Sequence, residues 1–192
     1  MLRTTLTPSQ REQIIKILCE AFDANKSVNF VIKQDAKRAK RLQTLMKYSL
    51  FKGEQAGRVY LNKAENTCAI VLNSSIKTTS LKSIIWDIRL VISCIGISNV
   101  FNVLKREREL KKLHPSHAYM HLWYIGVLNS SQGKGLGSEL LQEIIKQAKQ
   151  EKLPIYLETS TARNFPFYEK NGFETLNTLT TLGYILKIFY KK

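Results

Sequence analysis

Cysteine, proline and acidic residues are all scarce. Three cysteines in 192 residues, Cys19, Cys68 and Cys94, stand far apart and form no Cys-x-x-Cys pair. That excludes a disulfide scaffold, and the odd count at wide spacing suits reduced thiols in a cytoplasmic setting. Nine glycines and four prolines exclude a collagen-like or linker-dominated chain. The first ten residues hold no apolar run, so no secretory signal is read there. Apolar residues make up 44% and charged residues 23%, as in a packed globular protein rather than a disordered one. The length suits one domain, expected to span 1–192.

Fifteen acidic residues face thirty basic ones, a formal +15. This favours anionic partners such as nucleotides, nucleic acid or a membrane surface. The excess is spread, with sixteen basic and seven acidic residues in 1–96 and fourteen and eight in 97–192. The densest clusters are Lys37 to Arg41 and Lys105 to Lys112. Such dispersion reads as a solvated surface, and a nucleic-acid partner is not expected. Leu90 to Leu104 runs fifteen residues without a charge, short of the ~20 a spanning helix needs. It reads as buried helix broken near Gly96, and no membrane span is expected.

Thr7-Pro8-Ser9-Gln10 opens a helix: Thr7 can cap, Pro8 fits the first turn and Gln10 completes a capping box. Ile14, Ile15, Leu18, Cys19 and Phe22 follow on one face. A second helix is expected from Asp35, with Leu42, Leu45, Met46 and Leu50 as its stripe. Gly57 to Asn62 and Thr67 to Asn73 read as a hairpin. Residues 80–112 read as one or two helices, an insert. Tyr119 to Leu128 is a strand, Gly133 to Gln150 an amphipathic helix and Ile155 to Glu158 a strand. Asn164 to Lys170 is a short helix stopped by Asn171-Gly172. Phe173 to Leu179 and Tyr184 to Tyr190 close the chain as strands. The order predicts a mixed α/β domain.

The informative segment is Val127 to Ser138, where a strand runs through a glycine-rich turn into a helix. That arrangement aims free N–H groups and the positive helix end at one point, a natural seat for phosphate. Lys134 adds a mobile cation. The dinucleotide pattern fails at Ser138, and the P-loop pattern fails as well. What remains is Gln132, Gly135 and Gly137 in Gln-x-x-Gly-x-Gly. Alternating glycines cost about 1 kcal/mol each in a helix, a cost that a purely structural cap does not require.

The strand Tyr124-Ile125-Gly126-Val127, the turn Gln132-Gly133-Lys134-Gly135-Leu136-Gly137 and the later Asn164-x-x-x-Tyr168-Glu169-Lys170-Asn171-Gly172-Phe173 resemble the GNAT family of acetyl-CoA-dependent N-acetyltransferases. The resemblance implies a mostly antiparallel sheet flanked by helices, with splayed central strands and a cofactor-binding core over 117–175. It implies that Ile125 and Val127 offer backbone contacts to the pantetheine arm of acetyl-CoA. Amides of Gln132, Gly133, Lys134, Gly135, Leu136, Gly137 and Ser138 would cradle the pyrophosphate. Tyr168 would stand near the cofactor sulfur. Many family members place an Asn further upstream of the Tyr than Asn164 stands here, so Ser160 and Thr161 share the expectation of a cofactor contact with Asn164.

Acyl transfer to an amine needs a neutral amine, a polarised thioester and a proton for the leaving thiolate. Tyr168, with a reference pKa of ~10, can give that proton. The Val127 N–H is expected to polarise the carbonyl. Glu158 is the first candidate base. His121 is a second, placed on one strand face with His117 if alternation holds from 117, and a water chain would also serve. No metal is expected, because one strand cannot wrap His114, His117 and His121 round an ion. The acceptor is expected to be a small molecule with a neutral or acidic portion. The insert at 80–112 can close over the substrate or form a homodimer contact. Two other readings stand beside this one: a non-catalytic CoA-binding or nucleic-acid-binding module on the same fold, and a peripheral membrane protein using residues 84–104.

Overall fold

The computed structural model describes residues 6–77 and 80–192. Half of the N-terminal stretch in which no secretory signal was read, residues 1–5, lies outside the described residues. A six-stranded sheet in the order β1-β2-β3-β4-β6-β5 forms the spine. Its strands are β1 (Gly57–Leu61), β2 (Thr67–Asn73), β3 (Met120–Val127), β4 (Ile155–Thr159), β5 (Glu174–Leu179) and β6 (Leu186–Lys191). Every neighbouring pair is antiparallel except β3 and β4.

The first helix, α1 (Pro8–Phe22), starts at the expected box: Gln10 N–H donates to the Thr7 hydroxyl, and Thr7 N–H donates to the Gln10 side chain. A short helix α2 (Lys26–Val31), capped by Asn25 Oδ1, precedes α3 (Arg38–Ala56). The helix expected from Asp35 is thus the third and begins at Arg38; the Asp35 carboxylate instead accepts from Lys37 N–H and pairs with Arg41. Leu42, Leu45, Met46 and Leu50 are buried against α1 and the β1–β2 hairpin. On the other face, α6 (Leu136–Glu151) buries Leu140, Leu141, Ile144 and Ala148 with Met120 and Leu122 of β3. The glycines before Leu136 stay in the turn, so this helix starts later than Gly133.

The insert holds α4 (Leu81–Leu90), a π-helical turn over Val91–Ile95, a 3-10 turn over Ile97–Asn99 and α5 (Val100–Lys111). The break at Gly96 stands as expected, and the two arms bend by 97°. The burial does not. Cys94, Ile95, Val103, Arg106 and Leu110 pack inward, while Ile92, Ile97, Phe101 and Leu104 are exposed. An uncharged run reports what a segment avoids, not which side of it meets the core. The corner is tied to α2 and the residues just after it by Asn99 Nδ2 donating to the Phe30 carbonyl and Lys33 N–H donating to the Cys94 carbonyl. The last helix, α7 (Phe165–Lys170), follows a 3-10 turn over Ala162–Asn164.

Candidate active site

β3 pairs with β4 only at Met120–Ile155 and His121–Tyr156, and the two strands part beyond His121. A bulge drives the divergence. Ile70 faces Tyr124 while Val71 faces Leu122, so Trp123 is an extra residue that bends β3. Beyond the bulge the hydrogen-bond parity is fixed. Leu128 N–H donates to the Asn66 carbonyl, which makes Thr67–Val127 a non-hydrogen-bonded pair in the antiparallel ladder. The backbone N–H and C=O groups of Ile125 and Val127 therefore turn away from β2, toward the gap left by β4.

The gap opens into a cleft of about 470 Å³. One end is the turn before α6. A 3-10 turn over Asn129–Ser131 is held by Gln132 Nε2 donating to Asn129 Oδ1 at 2.9 Å. The chain then enters α6 through Gly135, at φ +78, with no side-chain cap. The first helical bond runs from Glu139 N–H to the Gly135 carbonyl, so the N–H groups of Leu136, Gly137 and Ser138 lack helical partners. A Cβ at Gly133 or Gly135 would meet nothing within 4 Å. These glycines leave a shallow cradle of donors at a positive helix end, and the residues fit a diphosphate. Gln132, Gly133, Gly135, Leu136, Gly137, Ser138, Ile125, Val127 and Asn164 all border the cleft, as does Thr161. Lys134 does not; it stands exposed beside the turn. Ser160 is engaged elsewhere, accepting from Ser27 N–H and donating to Asn25 Oδ1.

Tyr168 and Glu158 border the same cleft. Tyr168 packs edge-on against Phe167 and Phe173 and beside Phe189. It is 5% exposed. Burial pushes its hydroxyl pKa up, which keeps the proton on at neutral pH. The aromatic packing and the cleft position belong to one residue.

Glu158 sits where the cleft meets a second, inner pocket of about 290 Å³. Its carboxylate accepts from the Tyr156 hydroxyl at 3.0 Å and lies 3.4 Å from His114 Nε2. Burial alone would raise its pKa. The His114 contact, the nearby His121 and Arg106, and the Tyr156 hydroxyl outweigh that and hold it at about 2. His121 lines the inner pocket rather than the cleft. Burial, against the pull of Glu158, lowers its pKa to about 4, so the ring is neutral at pH 7.

The expected pairing of His117 with His121 is corrected. The strand starts at Met120, and His117 lies in the loop ahead of it, with Nε2 2.9 Å from the Tyr190 hydroxyl. The ring beside His121 is His114, with centroids 5.9 Å apart. Sequence reasoning also missed Arg106. It reaches from α5 to Tyr184 and Ser27, beside Glu107, and is buried on the inner pocket. Its signal was the spacing Val103, Arg106, Leu110, which puts an arginine on the buried stripe of a helix. Among the described residues, no group of three His, Cys, Asp or Glu could hold a metal ion.

Comparison with known proteins agrees with this geometry. Residues 93–175 match the acetyltransferase (GNAT) domain family. An uncharacterized N-acetyltransferase of Schizosaccharomyces pombe is 34% identical over 98 residues, 48% of this chain and 39% of that protein, so the match spans well under half the length of the relative. A solved structure from Corynebacterium glutamicum, described as histone acetyltransferase HPA2 and related acetyltransferase, aligns over 97% of this chain and 92% of that one at TM-score 0.72 and 21% identity. Arylalkylamine N-acetyltransferase 2 from Aedes aegypti aligns over 97% and 96% at TM-score 0.64 and 16% identity. These two share the fold. The matched segment, the relative and the mostly antiparallel sheet splayed at β3 and β4 point the same way: residues 93–175 resemble a GNAT acetyltransferase domain, and the chain shares its fold with solved acetyltransferases.

Proposed function

We propose that the protein transfers an acetyl group from acetyl-CoA directly to a primary amine of a small molecule, with no covalent enzyme intermediate. The carrying observation is convergence on one cleft: the open strand edge at Ile125 and Val127, the uncapped start of α6 and the Tyr168 side chain. Acetyl-CoA supplies the activated thioester when bound. The amides of Leu136, Gly137 and Ser138 hold its diphosphate, and the strand edge holds its pantetheine arm. Val127 N–H polarises the thioester oxygen, and Tyr168 protonates the departing sulfur. Glu158 stands at the boundary of the two pockets as an ionised carboxylate. There it accepts a hydrogen bond from the neutral amine and receives the proton that the nitrogen sheds as it attacks the carbonyl, directly or through a water.

The inner pocket supports a small acceptor. Its walls include Val28, Leu45, Val103 and Trp123, and its volume of about 290 Å³ suits a compact apolar body rather than a folded partner. A neutral or acidic portion on the acceptor is favoured by the +15 charge of the chain, since Arg106 at this wall is already paired with Glu107. A cytoplasmic setting is part of the reading, and three free thiols support it: Cys68 and Cys94 are buried and Cys19 is partly covered. The test is a panel of primary amines incubated with protein and acetyl-CoA, with released CoA read by a thiol reagent. Amine-dependent CoA release is expected. Folded protein that neither releases CoA nor gains thermal stability with acetyl-CoA would overturn the reading.

A further inference from the structure

The insert carries a second surface that acetyl transfer does not use. Leu81, Ile84, Ile85, Ile88 and Ile92 recur at helical spacing along α4 and the π-helical turn that continues it, and all are exposed, Ile92 at 65% and Leu81 at 76%. Ile97, Phe101 and Leu104 repeat the pattern into α5, with Phe101 at 81%. Eight large apolar side chains thus line the outside of two arms meeting at 97°. Exposed large apolar residues are ordinary when scattered, but a continuous stripe of this kind marks an interaction surface. Neither arm is long and apolar enough to cross a membrane alone.

Charge says what covers the stripe. Lys82, Arg89, Lys105, Arg108 and Lys111 are exposed on the same arms. The carboxylates of residues 80–112 are already engaged: Asp87 by the Tyr48 hydroxyl and Lys52, Glu107 by Arg106, and Glu109 by Lys112. The stripe is therefore bordered by cations whose acidic neighbours are neutralised from within the fold. At 100° per residue, Lys82 and Arg89 fall on one flank of the α4 stripe, while Arg108 continues the α5 stripe beyond Leu104. A second copy meeting this surface would bring a second set of the same cations to the interface, with no unengaged carboxylate of residues 80–112 to pair them. An anionic lipid surface accepts both the apolar stripe and its basic border.

We propose that the outer faces of α4 and α5 form an interfacial binding surface for anionic membranes, on which the protein lies without spanning the bilayer. The measurement is co-sedimentation of full-length protein with vesicles of phosphatidylcholine and phosphatidylserine at about 7:3, against phosphatidylcholine alone. Binding to the mixed vesicles is expected to exceed that to neutral ones by at least about ten-fold and to fall as salt approaches ~0.5 M. The double variant Ile92→Ser with Phe101→Ser replaces only exposed side chains. It should lower partitioning by about ten-fold or more at unchanged Tm. Arg89→Glu with Lys105→Glu keeps the apolar stripe and should also release the protein, so the outcome does not depend on one variant folding. Failure of wild-type protein to sediment with mixed vesicles would overturn the proposal. So would sedimentation that both variants leave unchanged, or a wild-type dimer that the Ile92 and Phe101 changes convert to monomer.

Discussion

His114 Nε2 lies 3.4 Å from Glu158 Oε1, joining the loop after α5 to the middle of the sheet. The ring's other nitrogen, His114 Nδ1, lies 2.9 Å from the Tyr119 hydroxyl. Tyr156 donates to Glu158 Oε1 at 3.0 Å. Glu158 is thereby fixed, ionised, at the junction of the two pockets.

Glu158→Gln is expected to lower kcat/KM by about 100-fold, within the range for losing a positioned base. Acetyl-CoA binding should be unaffected. Steady-state kinetics with the best amine of the panel, alongside a cofactor thermal shift, checks both halves.

The pH profile follows from the same groups. Glu158 at about 2 and His121 at about 4 do not change charge between pH 6 and 9. The amine does, with a reference pKa of ~10.4 for a lysine-like group. The expected log kcat/KM rises with pH at near-unit slope through that window. A break near pH 6.5 followed by a plateau would place the base on a different residue.

Stability responds to pH through the buried ring. His121 has its folded pKa lowered to about 4, against ~6.5 in the unfolded chain. Between those values the unfolded state binds the proton and the folded state does not, so stability increases with pH across that window and falls as acid is added. Glu158, also depressed in the folded state, loses its contribution lower, from its unfolded value of ~4.3 toward about 2. Tm measured from pH 7 to pH 4 should decline for wild type and decline less for His121→Gln.

Tyr168→Phe is expected to retain acetyl-CoA binding and lower kcat by about 100-fold, because the ring contacts with Phe167, Phe173 and Phe189 survive while the donor is lost. Unchanged kcat would assign the residue to packing alone.

Much of this arrangement was legible in the chain. The Thr7–Gln10 box, the stripe of Leu42, Leu45, Met46 and Leu50, and the turn from Gln132 to Ser138 are local patterns, and local patterns survive folding. What was not legible depends on long-range choices. The run Leu90 to Leu104 carries the same uncharged sequence whether its stripe faces core or solvent, and only the partners of α4 and α5 decide. His114 and His117 both precede β3, and a strand beginning at Met120 rather than 117 exchanges their roles. The bulge at Trp123 left no turn residue to announce it.

The central claim is that the uncapped turn into α6 holds the diphosphate of acetyl-CoA. Gly135→Glu tests it most directly. A side chain meets no atom there within 4 Å, and the left-handed backbone adds only about 1–2 kcal/mol of strain, so the fold should persist while a carboxylate occupies the anion seat. Titration calorimetry should show one saturable acetyl-CoA site in wild type and none in the variant. Equal affinity in both, with both folded, would contradict the account.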